Sequence, residues 1–454
     1  MSVSAEDSRE AQGDWAAPTV EVTQGARAQV AIPGSKSLTN RYLLLAALAD
    51  SPSLIHAPLH SRDSALMIDA LTILGARFEA VGTGSPFGPD LKVTPIDFSA
   101  PVTSASIDVG LAGTVMRFVP PLTALVAGHF SFDGDPHARQ RPMKPVIEAL
   151  RALGVEVEDG GRAALPFTVI SKGSVQTSQL TIDASQSSQF VSAVLLVACR
   201  FKDGLTLRHV GASIPSMPHI EMTLETMRQV GISVDFDGGN TWRVAPGRFP
   251  GFEVTVEPDL SNAGPFLAAA VVTGSTISIP RWPSRTTQGG NHWLDILPSF
   301  GAEVTLADDA TLLVAGPSGG ATAGYPGLTQ DLSEAGELAP TLAAICALAS
   351  TPSVLSGIAH LRGHETDRLA ALTTEITRLG GQAEETADGI CITAPVQHGG
   401  LMKTYEDHRM ATAAAVMGLV VPGIIIENVE TTAKTLPGFT GLWQKMLSQW
   451  EEGN

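Results

Sequence analysis

Residues 32–46 read IPGSKSLTNRYLLLA. A Pro33-Gly34 turn is followed by Ser35, Lys36, Ser37, Thr39, Asn40 and Arg41, and then by an apolar run from Leu43 to Ala47 that reads as a helix. Glycine lets the backbone come close to a ligand, and a helix N-terminus turns free N–H groups toward an anion. Lys36 and Arg41 add positive charge and Ser37 adds a hydroxyl. Together these point to a phosphate site, with a plain capped helix as the alternative. The order GSKS is not the GxxxxGK[ST] of a Walker A loop.

Other clusters carry related chemistry. VGLAGTVMRF, residues 109–118, sets Gly110, Gly113 and Thr114 before an apolar helix, with Arg117 one turn later; a tight packing turn is the competing explanation. DGDPHARQRPMKP, residues 133–145, places His137, Arg139, Arg141 and Lys144 on a proline-rich loop. Such cations form either an anion clamp or a solvated loop. DASQSSQFVSAVLL, residues 183–196, brings Ser185, Ser187, Ser188 and Gln189 to a helix entry, and SIPSMPHIEMTLETM, residues 213–227, does so with Ser216 and His219. LRGHETDRLAALTTEI, residues 361–376, offers His364, Glu365 and Arg368 as either an acid/base and phosphate anchor or a structural i,i+3 pair. Asp407, His408 and Arg409 open a further helix, and Lys434 lies on a Thr-rich loop. None of these has the spacing of a metal site, and no GxSxG or Cys/His arrangement is present.

The elements that must hold these groups belong to a large α/β protein. The chain has 454 residues, 17% of them charged, and a net charge of −17, which argues against a nucleic-acid binder and makes local cation clusters more telling. Three dispersed cysteines, Cys199, Cys346 and Cys391, suit a reducing compartment without structural zinc. Residues 1–18 are small, polar and acidic, are expected to be disordered, and lack the pattern of a signal peptide. The longest apolar stretch, Met410 to Ile426, is broken by Thr412, Gly418 and Pro422-Gly423, and reads as helix, turn and strand. A cytoplasmic protein is expected.

A hidden period organises the chain. An amphipathic helix, a glycine and an alternating strand recur at Gly75, Gly154, Gly231, Gly301 and Gly380, with spacings of 79, 77, 70 and 79 residues. This predicts a unit of roughly 75 residues, each ending in a hairpin. A sixth helix, Phe439 to Trp450, has no strand after it, so residues 19–32 are expected to close the last repeat from the start of the chain. Two domains follow, 19–34 plus 258–454 and 35–257, with crossings near Gly34 and Pro258. A series of ordinary α/β units is the alternative.

The ordered set PGSKSLTNR, LAGTVMR, RP at 141–142, SSQF, HETDR, EDHRM and AKT resembles one family, 3-phosphoshikimate 1-carboxyvinyltransferase or EPSP synthase, from about residue 20 to 445. The resemblance implies two similar domains, each of three βαβαββ repeats in an inside-out α/β barrel, that close over the substrates. It implies transfer of the enolpyruvyl group of phosphoenolpyruvate to the 5-hydroxyl of shikimate 3-phosphate, through addition and elimination, with release of phosphate and with no cofactor or metal. Shikimate 3-phosphate and phosphoenolpyruvate are then the partners, with no nucleic acid or membrane, and the enzyme is a monomer.

Carried onto this sequence, the resemblance gives shikimate 3-phosphate to Lys36, Ser37, Arg41, Ser187, Ser188, Gln189, Ser216, Glu337 and His364. It gives phosphoenolpyruvate to Lys36, Gly113, Arg141, Gln189, Arg368, Arg409 and Lys434. Glu337 takes the proton of the 5-hydroxyl, Lys36 and Glu365 move protons at the methylene carbon and the leaving oxygen, and His408 orients the network. Well-known members carry Asn where Leu111 stands, Asp at Glu337, Lys at His364, Tyr at His219 and Asn at His360; these substitutions are similar to those of actinobacterial members. The nearest rival is UDP-N-acetylglucosamine 1-carboxyvinyltransferase, which uses a Cys on the loop matching residues 133–145, where this chain has none. A non-catalytic anion-binding protein on the same fold is the alternative of another class.

Overall fold

The computed structural model describes residues 13–21, 25–100, 102–175 and 177–452. The chain divides into two units. One holds residues 33–259 and 285–288; the other holds the described residues up to 32, then 260–284 and 289 onward. The crossings thus fall one or two residues from the expected Gly34 and Pro258. Two hydrogen bonds explain this: Ser35 N–H to the Glu257 carbonyl at 2.8 Å and Asp259 N–H to the Pro33 carbonyl at 2.9 Å. Residues 285–288 join the 33–259 unit because Thr286 and Gln288 both donate to the Glu257 carboxylate, at 2.6 and 2.8 Å.

The repeat is visible in the backbone. The five glycines of the period all follow a helix and all take φ between 84° and 108°, a left-handed region that a Cβ disfavours and that ends a helix. Among the described residues there are six sheets, and five share one four-strand order. A parallel strand pair is extended by an antiparallel hairpin, as in Gln179–Ile182, Leu205–His209, Thr241–Val244 and Val234–Phe236. This is the βαβαββ unit, three in the 33–259 unit and two in the other, whose third sheet has the three strands Trp15–Ala16, Ile424–Ile426 and Gly400–Met402.

The closure of the last repeat differs from the expectation. Residues 1–12 lie outside the described residues, but Trp15–Ala16, expected to be disordered, forms a strand antiparallel to Ile424–Ile426. Trp15 packs edge-on against Phe439 with ring centroids 6.1 Å apart, so an aromatic anchor orders a segment that composition alone reads as loose. Within 19–32, the strand Arg27–Gln29 pairs parallel with Thr276–Ile279 and opens a different sheet. It still meets the last helix, Phe439–Glu452, through two hydrogen bonds between Gln29 backbone and the Gln449 side chain at 2.9 and 3.2 Å.

Each unit has its own apolar core. In the 33–259 unit it is built around Lys36–Leu48, Gly113–Thr123 and Gln189–Ala198. In the other unit the corresponding helices are Leu260–Thr273, Ala339–Cys346 and His408–Gly418. These helices are buried nearly all round, which is why their sequences lack a polar stripe. The stretch Met410 to Ile426 resolves into the helix His408–Gly418 and the strand Ile424–Ile426, and no helix of the described residues is long and apolar enough to cross a membrane.

Candidate active site

In the 33–259 unit the three central helices begin with the residues singled out by type: Lys36, Gly113 and Gln189. Their N-cap residues, Ser35, Ala112 and Ser188, provide no side-chain cap; the first N–H of two of these helices is instead taken by a neighbouring side chain, Lys36 N–H by Asp259 and Gln189 N–H by Ser187 Oγ at 3.3 Å. Side chains brace these ends together. Asn40 Nδ2 donates to Thr114 Oγ1 at 2.6 Å, and Arg117 Nη1 donates to Gln189 Oε1 at 2.6 Å. Arg41 is buried, 1% exposed, and lies behind Ser37. It donates to the Ser37 carbonyl at 2.9 Å, to the His219 carbonyl at 2.9 Å and to Thr223 Oγ1 at 2.8 Å, with its guanidinium 5.4 Å from the Phe118 ring centre. Arg41 therefore ties the Lys36 helix to the head of Pro218–Gln229, where Ser216 adopts φ 54°.

Two cations remain near these helix heads. Lys36 Nζ lies 3.8 Å from Asp63 Oδ2, a buried oxygen with no hydrogen-bond partner among the described residues. The Lys36 N–H donates to Asp259 at 3.1 Å. Arg141 is buried, and its Nη1 donates to the Leu111 carbonyl at 3.1 Å. Its guanidinium lies directly over Gly113: a Cβ there would sit 2.9 Å from Nη2 and 3.1 Å from Nη1. The remaining cations of the 133–145 loop do not join it. Arg139 pairs outward with Asp133 at 2.7 Å, and Lys144 pairs with Glu148 at 3.6 Å, both at exposed positions, so the four-cation clamp reduces to Arg141.

The other unit builds a chain of alternating charge. Lys434 Nζ donates to Glu365 Oε1 at 2.7 Å; Glu365 Oε2 accepts from Arg368 Nη2 at 3.0 Å; Arg368 Nε donates to Asp407 Oδ2 at 2.7 Å. All four side chains are buried, and two cations balance two carboxylates. Burial works against the Arg368 charge, but Asp407 and Glu365 outweigh it and hold its pKa above the ordinary value. His364 Nδ1 faces Arg368 Nη1 at 3.2 Å, so that nitrogen acts as an acceptor. Glu337 Oε2 accepts from Ser261 Oγ at 2.9 Å and from Arg409 Nη2 at 3.3 Å. His408 is buried beside Asp407, with Nδ1 3.6 Å from Oδ1.

Helix-start chemistry explains these placements. Asp367 caps Arg368–Arg378 through the N–H groups of Leu369 and Ala370, and Asp407 caps His408–Gly418 through the Arg409 N–H at 2.9 Å. The approach to Asp407 is strained: Tyr405 and Glu406 take φ 55° and 59°, each costing on the order of 1–3 kcal/mol. Among the described residues, no group of three or more His, Cys, Asp or Glu side chains is placed to hold a metal ion.

Sequence reasoning missed four groups here. Asp63, Asp259 and Ser261 carry no motif, and Asp407 was read only as a helix opener. The repeat held a signal for two of them: Leu260–Thr273 opens its unit as Lys36–Leu48 opens the other, so Asp259 and Ser261 stand at a helix head like those already singled out.

Two solved structures share this architecture. EPSP synthase from Acinetobacter baumannii aligns with a TM-score of 0.76 at 22% identity, covering 96% of this chain and 98% of that one. The enolpyruvyl transferase NikO from Streptomyces tendae aligns with a TM-score of 0.68 at 15% identity, covering 94% and 96%. At these identities the likeness defines a fold class, the two-unit fold of these transferases. Sequence goes further. A family model of EPSP synthase (3-phosphoshikimate 1-carboxyvinyltransferase) matches residues 20–443. A 3-phosphoshikimate 1-carboxyvinyltransferase from Kocuria rhizophila is 60% identical over 420 residues, which is 92% of this chain and 93% of the relative. The chain belongs to the EPSP synthase family.

Proposed function

We infer that the chain transfers the enolpyruvyl group of phosphoenolpyruvate to the 5-hydroxyl of shikimate 3-phosphate, releasing inorganic phosphate. The observation that carries this reading is the family match across nearly the whole chain. Both substrates are multiply charged anions, so the enzyme must offset their mutual repulsion with fixed cations and dipoles.

In the 33–259 unit, Ser37, Arg41, Ser187, Ser188, Gln189 and Ser216 are assigned to shikimate 3-phosphate, and Arg41 also braces the Ser37 and His219 carbonyls. Lys36, Gly113, Arg141 and Gln189 are assigned to phosphoenolpyruvate. In the other unit, Arg368, Arg409 and Lys434 are assigned to its charged groups, and Glu337 and His364 to the acceptor. Glu337 takes the 5-hydroxyl proton as that oxygen attacks C2 of phosphoenolpyruvate. A proton from Lys36 or Glu365 reaches the methylene carbon. Elimination then reverses that proton step while the leaving phosphate oxygen is protonated. His408, beside Asp407, orients the network. The reaction runs without cofactor or metal, in the cytoplasm, in a monomer, on two dissolved substrates.

The UDP-N-acetylglucosamine reading is disfavoured by cysteine placement. Residues 133–145 hold no Cys, and burial pushes the Cys199 thiol up to about 11, the opposite of an activated nucleophile. A phosphate-release assay with phosphoenolpyruvate and each acceptor in turn decides among the readings. Release with shikimate 3-phosphate alone is expected. Release with UDP-N-acetylglucosamine instead would select the rival, and no release with either would leave a binding protein.

A further inference from the structure

The helix Arg368–Arg378 touches the 403–409 turn at two places, and the mechanism uses only one. At its start Arg368 grips Asp407. Two turns on, the fully buried Glu375 grips the same segment. Glu375 Oε1 accepts the Tyr405 hydroxyl at 2.6 Å, Oε2 accepts the Lys403 N–H at 3.0 Å, and Arg378 Nε lies 3.1 Å from Oε2. A carboxylate needed only for Arg378, whose side chain is 43% exposed, would sit at the surface. Here it is drawn inside, and two of its three partners belong to the segment that leads into Asp407, His408 and Arg409.

That segment is where the backbone is unfavourable. Tyr405 and Glu406 are consecutive left-handed residues without glycine, and such conformations persist only where the surroundings over-determine them. We propose that Glu375 and Tyr405 are positioning residues that hold residues 405 and 406 left-handed and so fix Arg409 and His408 at the head of the next helix. The clamp has the required polarity. Burial, and then the bond to Glu375, push the Tyr405 hydroxyl up to about 12, so it stays a donor. The turn is closed from within by the Asp407 N–H to the Thr404 carbonyl at 2.9 Å. Two contacts from one rigid helix on either side of the strained pair leave it little freedom to relax.

The inference rests on the assignment of Arg409 to phosphoenolpyruvate. Turnover of the unmodified enzyme with both substrates is therefore measured first on the same preparation, and its absence would defeat that reading rather than this one. Tyr405→Phe removes one hydroxyl, and Glu375→Gln keeps the shape of the side chain. Each is expected to raise KM for phosphoenolpyruvate by about tenfold, the weight of one hydrogen bond to a charged group, while KM for shikimate 3-phosphate moves less than about twofold. Glu406 is exposed, and asparagine tolerates the left-handed region. Adding Glu406→Asn to Tyr405→Phe should recover most of the loss, which a merely structural contact would not allow. If Glu375→Gln does not fold, Tyr405→Phe and its rescue decide alone. Unchanged constants in Tyr405→Phe overturn the proposal, and so does an equal loss for both substrates that Glu406→Asn fails to restore.

Discussion

Gly113→Ala tests whether the turn at 111–114 and the Arg141 guanidinium form one anion site. The added methyl would lie 2.9 Å from Nη2, 3.1 Å from Nη1 and 3.3 Å from Cζ of Arg141. Non-bonded heavy atoms rest at about 3.5–4.0 Å, so the guanidinium must retreat by roughly 0.5 Å. That retreat pulls on the 3.1 Å bond from Nη1 to the Leu111 carbonyl, in a side chain that is buried. A ligand oxygen held by Arg141 then loses a charge-assisted hydrogen bond worth about 1.5–3 kcal/mol, or roughly a factor of 10–100 in affinity. We propose that the phosphonate glyphosate takes the phosphoenolpyruvate site of this chain, so that it inhibits competitively with phosphoenolpyruvate. Glyphosate is the longer ligand, and a methyl that intrudes on the site discriminates by shape at equal charge. The ratio of its inhibition constant to the KM for phosphoenolpyruvate should therefore rise in Gly113→Ala. Steady-state kinetics before and after the substitution read this ratio. A ratio that stays constant, or falls, refutes the placement of the inhibitor over Gly113.

Three further outcomes follow from the same geometry. Lys36→Ala should reduce kcat by more than about tenfold, a barrier increase above roughly 1.4 kcal/mol, in a protein that still folds but melts lower because Asp63 loses its compensating charge; a variant keeping a larger share of turnover removes Lys36 from the proton steps. Arg368→Ala strands the buried carboxylates of Asp407 and Glu365 and should destabilise the protein by about 3–5 kcal/mol as well as abolish activity, so a melting midpoint equal to wild type would count against the charge chain. His56 bonds Glu253 at 2.8 Å and Asp90 at 2.7 Å, and these contacts, Glu253 first, hold its pKa above the ordinary 6.5. Its contribution is therefore complete below pH 6.5 and lost as pH rises through the raised value. The midpoint gap between wild type and His56→Gln should shrink on going alkaline, and a gap that ignores pH would disprove the linkage.

The features legible in the sequence were those that depend on residue type over a short span. The glycines at 75, 154, 231, 301 and 380 marked helix ends because only glycine takes φ near 90° cheaply, so the period of the fold survived as a period of letters. The helix heads at Lys36, Gly113, Gln189 and His408 were legible for a related reason. A cation, hydroxyl or glycine just before a continuous apolar run also suits a plain cap or packing turn, and it was the recurrence of such heads in the order of one family's motifs that separated the two. Trp15 and Ala16 were not legible, because two residues carry no periodicity and their order comes from Phe439 and Ile424–Ile426, more than 400 positions away.

The same distinction separates the parts of the site. Residue type and spacing alone do not say which of four neighbouring cations in the 133–145 loop turns inward; the family resemblance singled out Arg141, and the fold shows why, by placing Gly113 beneath it. Arg139 and Lys144 turn outward because Asp133 and Glu148 are nearby partners at exposed positions. Arg141 instead donates to a backbone carbonyl thirty residues earlier, that of Leu111. Asp63 inverts the logic: a buried oxygen with no hydrogen-bond partner among the described residues stands 3.8 Å from Lys36 Nζ, and no motif announces it. Burying a carboxylate is unfavourable unless a nearby charge compensates. Under the proposed assignment, the Lys36 ammonium group therefore answers two demands, the anion it is to bind and the carboxylate behind it.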